Sequence, residues 1–343
     1  MESILCLIFA EEGKSIGRAS LEAVYLAKSV QNNVTGASLA LGVVGSDLGS
    51  SIAQLKGCGA SRIYKVEGED FEEPIYATDA AAAESICRAA EASIVIATGN
   101  SRVNRVLPGV AQRLGGRIDT HVCDVDWEDS TLRVHRWYYR QRMRAVMSRV
   151  HRPWFISSDP GSFAAWSGEV DSNEPEIIDL GKPQTSQRTR VEGFQKPVSG
   201  GQTIRPEAEL LLVAGAGWTK TQPDGQIKVK DAEKLILGFL EKTNASLGGS
   251  KSMVDLSSEG QEVLSFMTHL NQIGQTGSSP RHPKGLATCC HGEEPHVVGW
   301  RFINERRVIN SDPNCGWVQG KADVVYIQDA FAVMAKVNEL LAR

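Results

Sequence analysis

The chain has 343 residues, a length that suits two domains. Its formal charge of −4 supplies no basic field, so neither nucleic acid nor an anionic lipid surface is expected as a partner. Seven scattered cysteines, an odd number, fit a reducing compartment better than a disulfide framework.

The N-terminal stretch MESILCLIFAEEG reads as a buried first strand. Its apolar run covers only Ile4–Ala10 and follows Glu2, where a signal peptide would carry basic residues. No apolar run approaches the roughly 20 residues of a membrane span, so a soluble, cytoplasmic chain without direct membrane insertion is expected.

Strand and helix patterns then alternate. Ile4–Phe9 reads as a strand, and Ser20–Val30 carries a helical stripe of Leu21, Val24, Leu26, Ala27 and Val30. Gly36–Val44 is a second strand, Leu48–Leu55 opens a helix, and Arg62–Val66 is a third strand. Thr78–Glu91 is alanine-rich and helical, Ala92–Thr98 is a strand of parallel type, and Val103–Leu114 is helical. Thr120–Trp127 reads as extended, and Trp137–Ile156 as two further strands. Such alternation predicts an α/β fold, a mostly parallel sheet with helices on both faces.

Residues 181–208 show no hydrophobic period and are rich in Gly, Pro, Ser, Thr and charge, the composition of a linker or long arm. The pattern restarts with a strand at Leu210–Ala214 and a helix at Asp231–Lys242. Strands are expected near Ala287–Cys290, Val297–Trp300, Val308–Ile309 and Val324–Ile327, and a closing helix at Asp329–Leu341. The expected division is an N-terminal α/β domain over 1–182, a linker over 183–208 and a second α/β domain over 209–343.

Four stretches of the second half are candidates for chemistry. LLLVAGAGWTK ends a strand on glycines, which lets backbone N–H groups approach a phosphate, although the full GxGxxG pattern is absent. In CCHGEEPH, Cys289 and Cys290 are adjacent and have no companion pair at zinc-ligand spacing. On a strand they point to opposite faces, which suits one buried and one surface thiol. GQTG, residues 274–277, combines permissive glycines with the donors and acceptors of Gln275 and Thr276. VINSDPN, residues 308–314, is a strand followed by a turn, and the end of a parallel strand is where a nucleotide rests. Asp329 is placed to cap the last helix.

Taken in order, VLPGVAQRLG (106–115), RVHRWYYRQRMRAV (133–146), LLLVAGAG, SKSMVD, IGQTG, INSDPN and ADVVYIQDAF resemble the alpha subunit family of electron transfer flavoproteins along nearly the whole chain. The resemblance implies a Rossmann-like FAD-binding domain over 209–343 and a beta subunit that completes a shared cleft. It implies electron carriage, without a substrate of its own, from a flavoprotein dehydrogenase to a quinone oxidoreductase or another redox acceptor. In this reading Thr276 approaches the flavin N5 region and His296 the C2 carbonyl, where a donor stabilises negative charge on the reduced ring. Ile273, Gly274 and Gln275 share that loop, and Asn310, Asp329 and Ala330 lie on the adenosine side. Ser250 matches the serine of a Ser-Arg pair, and His291, Gly292, Glu293, Glu294 and Pro295 fill the stretch that leads to His296.

Three departures from the family pattern are expected to matter. Gly217 stands where the family has an arginine, with Lys220 nearby. Lys251 replaces the arginine of the pair and loses its planar fork. Glu293 and Glu294 place two acids in the loop, which would lower the flavin potential if they face the ring. Two alternatives stay open: a structural or regulatory subunit that does not cycle its flavin, and a stand-alone nucleotide-dependent oxidoreductase.

Overall fold

The computed structural model describes residues 2–11, 14–138, 143–168, 174–186, 188–193, 204–205, 208–255, 262–273, 280–288, 303–315, 318 and 322–343. The chain divides into two compact units, Met1–Phe194 and Gln195–Arg343.

In the first unit, strands β1 (Ser3–Phe9), β2 (Ser38–Gly45), β3 (Arg62–Glu67) and β4 (Ile94–Thr98) alternate with helices α1 (Arg18–Asn33), α2 (Gly49–Leu55) and α3 (Tyr76–Ala89). Helix α4 (Ser101–Arg113) follows, then β5 (Arg117–Glu128), β6 (Thr131–Tyr138), β7 (Met143–Met147), β8 (Trp154–Ser158) and β9 (Glu176–Asp179). The nine described strands lie in the order β7-β6-β5-β8-β4-β1-β2-β3-β9. Neighbours among them are parallel except β5–β6 and β6–β7.

The central strands are apolar throughout because both faces are covered. Ile4, Cys6 and Ile8 pack under α1 and α2, while Leu5, Leu7 and Phe9 pack under α3 and α4. The predicted stripe of α1 holds at Val24, Leu26, Ala27 and Val30, all buried. The stretch Trp137–Ile156, expected to contain two strands, takes part in three, because β6 begins at Thr131 and turns back through β7 before β8. Leu132 and Val134 alternate inward along β6. Strand β9 escapes a reading by sequence pattern because it is a mostly exposed edge strand.

In the second unit the strands among the described residues are β10 (Leu210–Ala214), β11 (Ser246–Gly249), β12 (Lys284–Thr288), β13 (Glu305–Asn310) and β14 (Val324–Ile327). They form an all-parallel sheet in the order β11-β10-β12-β13-β14. Helices α5 (Val229–Thr243), α6 (Lys251–Asp255) and α7 (Ala330–Leu340) contribute to one core around Trp218, Ile236 and Met334. Ile204, Ile303, Cys315 and Val318 pack against the other face. Within the stretch read as a linker, the Arg205 guanidinium donates to Asn244 Oδ1 at 2.9 Å and to the Ala245 carbonyl at 3.1 Å. It thereby neutralises carbonyls at the C-terminus of α5, where Asn244 adopts a left-handed conformation with φ 52°.

The mixed α/β, two-domain expectation describes both units. Strand β11 is not foreseen by pattern, since Ser-Leu-Gly-Gly carries little strand propensity. Its glycines have a packing reason. A Cβ on Gly248 would lie 2.2 Å from Ile273 Cδ1, and one on Gly249 2.2 Å from Met267 Cε.

Candidate functional site

With β10 numbered first, the order of the C-terminal sheet is 2-1-3-4-5, a doubly wound arrangement whose direction of growth reverses between β10 and β12. Ligands of such sheets bind outside the carboxyl ends of the strands at that switch point. At this carboxyl edge the chain leaves the sheet after Ala214, Gly249, Thr288, Asn310 and Ile327.

After β10 the glycine turn folds into a 3-10 turn, Ala216–Thr219, instead of opening a long helix; α5 begins only at Val229. The Gly217 carbonyl accepts from Gln222 Nε2 at 3.0 Å. Trp218, fully buried, donates from Nε1 to Thr288 Oγ1 at 2.8 Å and meets Phe331 edge-on, ring centroids 4.6 Å apart. The turn is thereby pinned to the end of β12 on the far side of the switch point.

After β11, the Ser250 amide donates to the Ala214 carbonyl at 3.1 Å, and Ser250 Oγ accepts from the Met253 amide at 3.4 Å. Ser250 is buried and Lys251, the next residue, is exposed. Ile273 donates its amide to the Gly249 carbonyl at 3.0 Å, which brings the start of the predicted flavin loop beside Ser250.

Asn310 closes β13 and is buried to 2% exposure. Its Oδ1 accepts from the Asp312 amide at 3.1 Å, while its Nδ2 has no hydrogen-bond partner among the described residues. The Asn310 carbonyl accepts from the Gln328 amide at 3.0 Å, which sets Asp329 beside it. Asp329 Oδ1 accepts from the Ala332 amide at 2.8 Å, the N-cap that the sequence suggests. Ala330 is buried as the first residue of α7.

The amino edge of the same sheet differs in chemistry. There Arg306 forms a two-pronged pair with Asp323, with Nη2 to Oδ1 at 2.9 Å and Nε to Oδ2 at 3.2 Å. Hydrogen bonding from the guanidinium holds the Asp323 carboxyl below the ordinary carboxylate range. Those charges satisfy each other, whereas the carboxyl edge holds an amide donor, Asn310 Nδ2, without a partner among the described residues. A buried donor without a partner costs stability until an acceptor arrives. Asn310 therefore fits an acceptor-rich group such as a nucleotide.

Of the predicted site residues, the structure gathers Gly217, Ser250, Lys251, Ile273, Asn310, Asp329 and Ala330 at one sheet edge. Gly274, Gln275, Thr276, His291, Gly292, Glu293, Glu294, Pro295 and His296 lie outside the described residues, as do Cys289, Cys290 and the expected strand at Val297–Trp300. Sequence reasoning passes over Trp218 and Thr288. The available signal is a tryptophan directly after the glycine turn, in a position otherwise suited to a phosphate loop.

The Electron transfer flavoprotein domain family model matches residues 6–194. That span is more than half of the chain. The chain belongs to the electron transfer flavoprotein family. The matched residues lie within the N-terminal unit, so family membership rests on the nine-stranded sheet, and the candidate site lies in the other unit. No helix among the described residues is long and apolar enough to cross a membrane.

Proposed function

We propose that this electron transfer flavoprotein family member is an alpha subunit that carries electrons on FAD held in its C-terminal unit, 209–343, beyond a linker over 183–208. A beta subunit of the same family completes the cleft. A flavoprotein dehydrogenase is the donor and a quinone oxidoreductase or similar protein the acceptor. The protein carries electrons and has no substrate of its own. The observation that supports this reading most is the convergence of Gly217, Ser250, Ile273, Asn310 and Asp329 on the switch-point edge of an all-parallel sheet.

FAD, when bound, supplies the one- and two-electron redox chemistry. The chain's own residues hold and tune it. Asn310 Nδ2 offers a donor to an acceptor on the adenosine side. The backbone at Gly217 and Ser250, without bulky side chains, admits close approach. Thr276 and His296 would donate to the ring, Thr276 near N5 and His296 near the C2 carbonyl. Lys251, exposed beside Ser250, supplies the positive charge that the family draws from arginine.

A second reading has one observation in its favour. Gly217 replaces the family arginine, and the neighbouring Trp218 is committed to the core through Thr288 and Phe331. A subunit so altered would hold FAD structurally without cycling it. Reduction by a donor dehydrogenase separates the two: a carrier bleaches and recovers with an acceptor, while a structural subunit keeps its oxidised spectrum.

A further inference from the structure

Helices α5 and α7 cover the same face of the C-terminal sheet, where Ile236, Phe239 and Met334 join one core. They are tied to each other through Asn338. Its Nδ2 donates to the Leu235 carbonyl at 2.8 Å, and its own carbonyl accepts from Lys242 Nζ at 2.7 Å. On their outer side the two helices leave an open groove of about 570 Å³.

Along α5 the groove is lined at positions 228, 231, 235, 238 and 242, and along α7 at 331, 335 and 338. The steps alternate between three and four residues, the spacing that keeps side chains on one stripe of a helix. Two such stripes side by side form the flanks of a seam that accepts the ridge of a third helix. Helix α5 has 15 residues, a length of about 22 Å, so the seam runs for about four turns.

The floor of the groove is apolar. Leu235 and Phe331 are half-buried, and the Phe331 ring is held edge-on by Trp218, centroids 4.6 Å apart. Gly238 lies in the interior of α5, where glycine is less stable than alanine. The packing of the chain itself does not require it. A Cβ at Gly238 would meet nothing nearer than Asn338 Nδ2 at 3.5 Å, an ordinary contact, whereas one on Gly248 or Gly249 would collide. The glycine leaves room for a group that approaches from outside the chain.

The rim is basic. Lys228, Lys234 and Lys242 line it against one lining carboxylate, Asp231. Lys228 is paired with Asp224. Lys234 and Lys242 are exposed, and Lys242 commits one of its three N–H donors to the Asn338 carbonyl. Glu339 on α7 is held by Lys336 and Arg343 and does not offset them. An apolar floor between two available ammonium groups complements a helix whose apolar face is flanked by Asp or Glu.

We propose that the groove between α5 and α7 is a docking site for an acidic amphipathic helix of a partner protein, with Leu235, Gly238 and Phe331 receiving its apolar face and Lys234 and Lys242 its carboxylates. None of these residues is among those gathered at the carboxyl edge, so the inference stands whether or not that edge holds FAD.

The test uses the full chain, purified at high salt to strip ion-paired partners and then returned to low salt. The probe is a rhodamine-labelled, stapled helical peptide about as long as α5, with leucines at alternating steps of three and four and glutamates beside them. A second peptide carries lysine in place of every glutamate. Fluorescence anisotropy should show the Glu peptide binding at least about tenfold more tightly than the Lys peptide. The double variant Lys234→Glu, Lys242→Glu should reverse that order. Gly238→Leu, which fills the seam, should weaken the Glu peptide at least about tenfold. Lys336→Glu, an exposed charge reversal outside the groove, should bind as wild type. Acetylation of lysines read by mass spectrometry should slow at Lys234 and Lys242 when the Glu peptide is present, and not at Lys336. Should Gly238→Leu fail to fold by far-UV circular dichroism, the exposed lysine variants carry the comparison. The proposal is overturned if the two peptides bind wild type equally or not at all, or if the lysine variants bind the Glu peptide as wild type does. It is overturned too if Gly238→Leu converts a self-associated wild type to monomer while neither peptide binds, since a second copy would then fill the groove.

Discussion

Trp218 Nε1 donates a 2.8 Å hydrogen bond to Thr288 Oγ1, joining the turn after β10 to the last residue of β12. These are the two strands on either side of the switch point. The same hydroxyl donates to the Val213 carbonyl at 3.2 Å, so indole, hydroxyl and strand backbone form one buried chain of hydrogen bonds. Trp218→Phe should lower the stability of the C-terminal unit by about 1–3 kcal/mol, the cost of leaving a buried polar partner unmatched. Trp218→Ala should cost about 3–5 kcal/mol, because a large cavity is added. Urea unfolding followed by far-UV circular dichroism checks both, and a Trp218→Phe variant as stable as wild type would show that the hydrogen bond contributes nothing.

A second expectation concerns acid. Asp119 on β5 is fully buried, and burial pushes its pKa upward. Hydrogen bonds from Arg149 Nη2 at 2.8 Å and Trp154 Nε1 at 2.9 Å, with Arg136 nearby, outweigh burial and hold the carboxyl below its ordinary 3.8. A depressed pKa in the folded state contributes stability that is complete above the unfolded value and is lost as pH falls through the folded one. At neutral pH, Asp119→Asn should therefore destabilise the N-terminal unit by roughly 2–4 kcal/mol. That is below the full range for a buried pair, because Arg149 is partly exposed. The gap in Tm between wild type and variant should narrow as pH drops below about 4. A gap that stays constant from neutral pH to well below that value would contradict a depressed Asp119 pKa.

Much of this fold is legible in the sequence because parallel strands buried on both faces leave continuous apolar runs. Leu210–Ala214 is expected as a strand and is one, with Leu211–Ala214 fully buried. Asp329 is expected as a helix cap and accepts the Ala332 amide. Strand β11 is illegible because Gly248 and Gly249 serve packing against Ile273 and Met267, a constraint visible only once those partners are placed. Strand β6 is under-read because its arginines, paired with acids across the sheet, mask the alternation of Leu132 and Val134. At the candidate site, glycine and turn signals mark where the chain would meet a ligand. Trp218 does not announce its role by type, since it acts through Thr288, a partner far away in sequence.

Asn310 gives a direct probe of the adenosine side. Asn310→Asp keeps the oxygen that accepts from the Asp312 amide and replaces Nδ2, which has no partner among the described residues, by an acceptor. FAD affinity should fall by about tenfold or more, since a donor to the ligand is exchanged for a repulsive oxygen. Titration by flavin fluorescence reads the change, and an unaltered Kd would place the cofactor elsewhere.

The loop residues carried by the family resemblance make a separate expectation. Thr276→Ala should preserve the fold and move the flavin potential by tens of millivolts, as one hydroxyl hydrogen bond worth about 0.5–1.5 kcal/mol acts on one redox state. His296→Ala should lower the potential further, since a bond to a charged group is worth roughly 1.5–3 kcal/mol. Cys289→Ser and Cys290→Ser should leave flavin content unchanged. A potentiometric titration in which neither Thr276→Ala nor His296→Ala shifts the midpoint would remove both from the ring's surroundings.

Electron carriage on FAD in the C-terminal unit, with a beta subunit completing the site, is tested most directly by one measurement. It is the visible spectrum and released flavin of the full chain co-purified with its beta subunit, before and after chemical reduction and reoxidation by a quinone. The proposed function predicts one FAD per heterodimer assigned to this chain, a yellow protein that bleaches and recovers, and weaker retention of that FAD in Asn310→Asp. A colourless complex that takes up no FAD, or a flavin held with unaltered affinity in Asn310→Asp, would contradict it.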